Sequence, residues 1–158
     1  MDTKILYYKI FERNVEPVDY VNWAFKMLKN ETSTTSLYIL SSLSKPLNIF
    51  EVEDYFRRVV EELSMQEPSH EKCAKYYIRN LLGQIIHDET NAINLAYEIY
   101  AVVREHFIND ELEIWYEISE MIDDFWYGDN IGNITKDSLI KTIVQEAKVQ
   151  LNSNFLLS

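Results

Sequence analysis

The stretch that decides the fold is DELEIWYEISEMIDDFWYGDN, residues 110–130, because its apolar side chains recur with the spacing of an α-helix. They stand three or four residues apart, at Ile114, Trp115, Ile118, Met121, Ile122, Phe125 and Trp126. Side chains at this spacing share one face of a helix, and such a face is normally buried. We therefore expect an amphipathic helix whose apolar face belongs to the core.

The opposite face of this predicted helix is acidic. Four carboxylates follow one another at spacings of four, three and four residues, and we call them the acidic stripe: Glu113, Glu117, Glu120 and Asp124. Tyr116, Asp123 and Tyr127 flank this stripe. Like charges at such spacings destabilise a helix by roughly 0.2–0.5 kcal/mol per pair, and no cation within the segment offsets them. The stripe is therefore a self-repelling surface.

The negative charge of the chain is concentrated around this helix. No Lys or Arg occurs between Arg104 and Lys136, and that interval contains nine acids, whereas the net charge of the whole chain is −11. An acidic surface repels phosphate backbones and anionic lipids. The sequence therefore argues against direct binding to nucleic acid or to a membrane, and it favours a cationic partner.

The rest of the chain indicates further helices. Its 158 residues, 47% of them hydrophobic and 26% charged, are typical of one globular domain. Only three Gly and three Pro are present, which disfavours turn-rich β architectures. We predict an all-α fold over residues 1–158, a single-domain irregular bundle of about eight antiparallel helices arranged as stacked hairpins.

Residues that favour helix ends mark the boundaries of these helices. Pro17 suits the first position of the second helix, and Gly128 suits the end of the acidic helix. Capping residues precede the other predicted helices, at positions 32–36 and at Asn48, Ser69, Asn91, Asn109 and Thr135. Phe50 is expected to begin the apolar face of the fourth helix. Residues 152–158 are expected to form a frayed tail.

The sequence also bears on the compartment. No run of about 18 consecutive apolar residues occurs, and the first 14 residues contain no uninterrupted signal-peptide core. Cys73 is the only cysteine, so neither an internal disulfide nor a thiolate zinc cluster can form within the chain. We therefore expect a cytoplasmic protein.

Residue patterns that would indicate catalysis are sparse. The three glycines form neither a phosphate-binding loop nor a dinucleotide fingerprint. Glu67 and His70 have the spacing of a di-iron ligand pair but stand at a helix boundary, and neither His87 nor His106 belongs to a paired histidine motif. Cys73 falls on the apolar side of its helix, where a lone cysteine is usually a small hydrophobe. We predict no catalytic residue, no metal site and no cofactor.

Two interpretations of the acidic helix remain open. In the first, the stripe is a solvated face that lysines of neighbouring helices, such as Lys136, Lys141 and Lys148, partly neutralise, and the tyrosines only cover adjacent apolar surface. In the second, carboxylates and tyrosines bind a basic protein, because acids accelerate encounter and tyrosines provide anchors that lose little entropy. The candidate partner-binding residues are then Glu113, Tyr116, Glu117, Glu120, Asp123, Asp124 and Tyr127.

A small acidic helical chain with a carboxylate and tyrosine face, here residues 109–130, resembles bacterial immunity proteins that neutralise nuclease-type toxins. The resemblance is one of design and implies a basic partner, a toxin or a nucleic-acid-binding protein. Residues 19–63, DYVNWAFKMLKNETSTTSLYILSSLSKPLNIFEVEDYFRRVVEEL, are similar to a segment of uncharacterised bacterial helical proteins. That similarity implies a shared fold and no activity.

The expected function is therefore that of a non-enzymatic protein-binding module, immunity-like, that masks a basic partner with its acidic helix face. One alternative is a helical-hairpin adaptor that binds a peptide in a groove lined by Tyr38, Tyr55 and Tyr76. A third is a metal-dependent enzyme that uses the clustered acids. The oligomeric state is left open.

Overall fold

The structure, a computed structural model, describes all residues 1–158 and contains α-helices, two short 3-10 turns and no strand. The predicted all-α fold is confirmed. All eight predicted helices are present, together with a ninth short one: α1 (Thr3–Phe11), α2 (Pro17–Lys29), α3 (Thr35–Ser42), α4 (Ile49–Glu62), α5 (His70–His87), α6 (Ala92–His106), α7 (Ile114–Tyr127), α8 (Lys136–Leu151) and α9 (Asn154–Leu157).

The chain divides into two compact units, Met1–Cys73 and Ala74–Ser158, with the boundary inside α5. In the first unit α2, α3 and α4 contact one another, and α1 contacts α2. In the second unit α6, α7 and α8 contact one another, and α8 contacts α9. The expectation of a single domain over residues 1–158 stays a prediction.

Trp23 lies at the centre of the first unit. It is fully buried, and its indole N–H donates to the Thr3 hydroxyl oxygen at 3.0 Å, which satisfies a polar atom that burial would otherwise leave unpaired. The Phe56 ring packs edge-on against Trp23 with centroids 5.0 Å apart. The centroid of the Tyr20 ring lies 5.2 Å from that of Phe56. This cluster ties α1, α2 and α4 together.

Most of the predicted caps form. The Asn48 side chain accepts from two backbone N–H groups at the start of α4, and Thr135 forms a reciprocal capping box with Ser138 at the start of α8. Ser69 accepts from the backbone of Lys72, in the first turn of α5. These side chains satisfy donors that the helix itself leaves without a partner.

Two of the predicted caps are wrong in detail, because 3-10 turns intervene. Asp88 caps the turn Glu89–Asn91, and the Asn91 side chain makes no cap hydrogen bond to α6. Asn109 caps the turn Asp110–Leu112, so α7 begins only at Ile114. 3-10 turns are frequent at the starts of α-helices. Here the side-chain cap lies at the start of each 3-10 turn, and the α-helix behind it begins without one.

Two further expectations differ from the structure. The prediction that Phe50 begins the apolar face of α4 is wrong, since its side chain is 78% exposed. Phe50 is the second residue of α4, and the buried face begins only at Val52, which is fully buried. The tail after α8 is not frayed, since Ser153 caps α9 and Leu156 is buried.

None of the helices combines the length and the apolar composition that crossing a bilayer requires.

Candidate functional site

The apolar face of α7 is anchored in the second unit. Trp115, Ile118 and Ile122 are buried where α7 contacts α6 and α8, as their spacing predicts. Ser119 is buried on the same side, and its hydroxyl donates to the carbonyl oxygen of Tyr116 at 2.6 Å. Because this face is fixed in the core, the opposite face of α7 is held outward.

Polar side chains also hold both ends of the α7 segment. Before α7, the amide of the buried Gln150 on α8 donates to the carbonyl oxygen of Glu111 at 2.8 Å. After α7, the Asn130 side chain bonds both backbone groups of Ile134, at 2.8 and 3.0 Å. Asn130 has a φ of 49°, a left-handed conformation that Asn tolerates better than most residues. The acidic helix is thus a positioned surface.

The carboxylates predicted for partner binding all reach the surface of α7. Glu113, Glu117 and Glu120 are exposed, whereas Asp123 and Asp124 are half-buried. None of them has a Lys, Arg or His nitrogen within the 4.0 Å of an ion pair. The acidic stripe therefore carries charge that the fold leaves uncompensated at contact distance.

The lysines of α8 do not pair with this stripe. Lys141 and Lys148 instead line a groove that they share with Glu89 and Thr90. Lys136, in the first turn of α8, is exposed and forms no ion pair. Direct neutralisation by these three residues, which the solvated-face interpretation invoked, is absent from the structure.

The two tyrosines predicted for partner binding are exposed, Tyr116 to 51% and Tyr127 to 83%. The negative charge of Glu120, one helical turn away, raises the pKa of the Tyr116 hydroxyl. Like an ordinary tyrosine, Tyr116 is neutral at physiological pH and can donate a hydrogen bond. Both rings combine an apolar body with a polar tip, which suits a protein interface.

Trp126 was predicted to lie in the core, and this prediction is wrong. It is 41% exposed, because it occupies the penultimate position of α7, and its ring packs against Tyr97 of α6 with centroids 6.1 Å apart. Ring contacts of about 6 Å continue from there and connect five side chains, which we call the aromatic cluster: Tyr116, Tyr100, Tyr97, Trp126 and Tyr127.

The aromatic cluster is the part of the surface that sequence reasoning missed. Tyr97 and Tyr100 stand three residues apart on α6, so they share a face, and this spacing was the available signal. The sequence could not show that this face of α6 lies beside the tyrosine side of α7. The candidate surface thus spans two helices rather than one.

A groove of about 460 Å³ lies at one end of the aromatic cluster. It is lined by the end of α6, the turn before α7 and the start of α7, and its members include Arg104, Phe107, Ile108, Glu113 and Tyr116. Ile108 is fully exposed. The groove combines apolar walls with charges of both signs, as protein interfaces commonly do.

Most of the residues considered for catalysis lie in α5 or just before it, and His106 is the last residue of α6. Cys73 is fully buried, and burial raises the pKa of its thiol to about 11, which suppresses the reactive thiolate. His70 begins α5, with its Nε2 atom 2.8 Å from a Glu12 carboxylate oxygen and its ring stacked on Phe11. Glu67 precedes α5 and is exposed. His87 is exposed at the end of α5.

The tyrosines of the adaptor alternative lie on three helices. Tyr38 of α3 is exposed, and Tyr55 of α4 is half-buried with the Arg58 guanidinium 5.1 Å from its ring centroid. Both belong to the first unit, whereas Tyr76 of α5 belongs to the second. Within the first unit, Tyr55 is thus already covered in part by a cation of its own helix.

No family model, no curated protein and no solved structure matches the chain. A functional proposal therefore depends on the surface of α6 and α7.

Proposed function

We propose that the chain is a non-enzymatic protein-binding module of the cytoplasm that masks a basic surface on a partner protein with the acidic face of α7. The observation that supports this most strongly is the set of exposed and half-buried carboxylates without an ion pair, on a helix that contains no basic residue. A basic partner would supply the missing cations.

The acidic stripe suits this role because it acts at two distances. Before contact, uncompensated charge attracts a cationic surface over about one Debye length, roughly 8–10 Å at ordinary ionic strength, and so accelerates encounter. After contact, each carboxylate can accept charge-assisted hydrogen bonds from Lys or Arg. The mutual repulsion within the stripe is relieved at the same time, which favours the bound state.

Tyr116 and Tyr127 add the apolar part of the interface. Side chains at the centre of protein interfaces are enriched in Tyr and Trp, because these rings bury a large area while they immobilise few torsions. Tyr127 is the most exposed ring of the aromatic cluster and stands beside the stripe. A partner that covers the stripe would therefore also bury apolar surface.

The partner we propose is a nucleic-acid-binding protein, such as a nuclease-type toxin, in keeping with the immunity-like design. Proteins of that class need a cationic surface to bind phosphate backbones. An acidic helix placed over such a surface would occupy it and exclude the nucleic acid. The same charge prevents the module itself from binding nucleic acid or anionic lipid.

The proposal is tested by affinity capture from a lysate of the native cell with three versions of the protein. The stripe variant carries Glu113→Gln, Glu117→Gln, Glu120→Gln and Asp124→Asn. The control variant loses the same charge at exposed positions elsewhere, through Glu31→Gln, Glu61→Gln, Glu67→Gln and Glu89→Gln. Circular dichroism and thermal unfolding verify that all three are folded.

The wild-type protein and the control variant should retain the same basic protein, identified by mass spectrometry, and the stripe variant should lose it. Raising the salt concentration should weaken capture by the wild type, since salt screens exposed charges. Equal capture by the stripe variant and the wild type would contradict the proposal. So would retention of a partner without a basic surface.

A further inference from the structure

The aromatic cluster is an unusual feature for so acidic a surface. Four of its five rings are exposed, Tyr97 to 37%, Trp126 to 41%, Tyr116 to 51% and Tyr127 to 83%. Single exposed rings are normal on proteins, but a connected row across two helices forms a contiguous apolar patch, and such patches mark binding surfaces. The rings are therefore candidates for a direct role in recognition.

Negative charge surrounds these rings. Glu120 is close enough to Tyr116 to raise the pKa of its hydroxyl, and Asp123 lies on the helix face that carries Tyr116 and Tyr127. The face of an aromatic ring is itself electronegative and attracts cations. Carboxylates beside the rings add to this attraction, so the patch favours a ligand that is both cationic and able to cover apolar surface.

One ring of the cluster already shows such a contact. The guanidinium carbon of Arg104 lies 5.5 Å from the centroid of the Tyr100 ring, one turn apart on α6. This pair is local to the helix. By contrast, neither Trp126 nor Tyr127 has a Lys or Arg over its ring. The exposed faces of these two rings are thus open to a cation from outside.

Arginine suits this arrangement better than lysine. Its guanidinium is flat and weakly hydrated, so it can lie on a ring while the N–H groups at its edge bond to a carboxylate. A lysine ammonium is a compact, strongly hydrated charge that gains less from a ring. Rings and carboxylates side by side therefore discriminate between the two cations.

We propose that the aromatic cluster binds arginine side chains of the basic partner, with guanidinium groups on the Trp126 and Tyr127 rings and their N–H groups paired with neighbouring carboxylates of α7. This inference rests on the proposed function and specifies its partner chemistry. The partner surface is then rich in arginine, and an equivalent surface of lysines binds more weakly.

The test is a calorimetric titration with two defined peptides, nona-arginine and nona-lysine, at one fixed salt concentration. The ring variant carries Trp126→Leu and Tyr127→Leu. The matched control removes two exposed rings of the first unit, through Tyr38→Leu and Phe50→Leu. A single Tyr127→Leu variant, at the most exposed ring of the cluster, serves as a second reading that does not depend on how Trp126 packs.

The wild type and the control should bind nona-arginine about three- to tenfold more tightly than nona-lysine, because a guanidinium gains more from each of the two rings than an ammonium does. The ring variant should lose this preference while its affinity for nona-lysine stays the same, and Tyr127→Leu should lose part of it. An unchanged preference in the ring variant, no preference in the wild type, or no binding of either peptide would overturn the inference.

The same titration with the stripe variant separates this inference from the proposed function. Loss of affinity for both peptides is expected there, because the carboxylates serve both cations. If the wild type binds both peptides equally and the stripe variant binds neither, the acidic stripe remains a basic-partner site and the role of the rings is refuted. If the stripe variant binds both as the wild type does, the proposed function fails instead.

Discussion

Helices α4 and α7 have the same length, 14 residues, and similar numbers of acids, but only in α4 does any of the acids have a cationic partner. In α4, Asp54 pairs with Arg57 and Arg58 of the same helix, and the Glu62 carboxylate accepts from the Ser36 hydroxyl at 2.6 Å. In α7 no carboxylate has a cationic partner. Acid content alone therefore does not identify a binding face.

The pKa directions follow this difference. The hydrogen bond from Arg57 lowers the pKa of Asp54, and the hydrogen bond from Ser36 lowers that of Glu62, so the fold stabilises both charges. In α7 the resolved shift is that of a tyrosine: the negative charge of Glu120 raises the pKa of the Tyr116 hydroxyl. Asp54 and Glu62 of α4 thus have partners within the fold, whereas the carboxylates of α7 have no cationic partner.

The largest effect should separate the start of the apolar face of α7, which is buried, from its exposed end. Trp115→Ala removes a fully buried side chain and should lower the free energy of unfolding by about 3–5 kcal/mol. Trp126→Ala removes a ring that is 41% exposed and should cost about 1 kcal/mol or less. Urea unfolding of both variants measures the difference. Similar costs would mean that the end of α7 is packed as tightly as its start.

The next effect concerns how each helix begins. Asn48→Ala removes a side chain that accepts from the backbone N–H groups of Phe50 and Glu51, and should destabilise the protein by about 1 kcal/mol. Asn48→Asp should restore most of this. Glu113→Ala at the start of α7, where no side-chain cap forms, should cost only about 0.3 kcal/mol through the helix dipole. A larger loss of stability in Glu113→Ala would show that Glu113 stabilises the fold by more than its interaction with the helix dipole.

Acid should remove the stabilisation that the charge of Glu62 in α4 gives to the fold. Because the folded pKa of Glu62 lies below its ordinary value of 4.5, Glu62 stabilises the fold above that pH and stops doing so as pH falls through the folded pKa. Glu62→Gln should therefore lower the unfolding temperature at pH 7, and its deficit should vanish in strong acid. Glu61→Gln, an exposed neighbour, is the control. A deficit independent of pH would exclude the charge as its cause.

The smallest effect should have the opposite sign in α7. Asp124 lies in the last turn, near the negative end of the helix dipole, so Asp124→Asn should raise stability by about 0.3–1 kcal/mol at low salt. Asp137→Asn, in the first turn of α8, removes a favourable charge and should lower it by a similar amount. The same sign for both substitutions would refute the claim that Asp124 opposes folding.

Sequence patterns predicted the helices well because caps and periodicity are local properties. Their limits appear at helix ends, where Phe50 and Trp126 follow the apolar pattern but extend past the surface that buries it. Asn91 shows a second limit. It is a residue type that favours caps, but Asp88 caps the 3-10 turn before α6, and the Asn91 side chain makes no cap hydrogen bond.

The candidate surface also has one part that the sequence predicts and one part that it does not. The two faces of α7 follow from the spacing of its residues, so the exposed stripe could be read directly. The contact of Trp126 with Tyr97 depends on which side of α6 packs beside α7, and no local pattern encodes that. The aromatic cluster therefore required the structure.

Hydrogen exchange of the protein, alone and bound to the partner it captures, tests the contrast between α4 and α7 most directly. Masking by the acidic face predicts slower exchange in residues 113–127 on binding, with residues 49–62 unchanged. Slower exchange around Tyr38 and Tyr55 instead, with no change in α7, would contradict this and favour a peptide-binding adaptor.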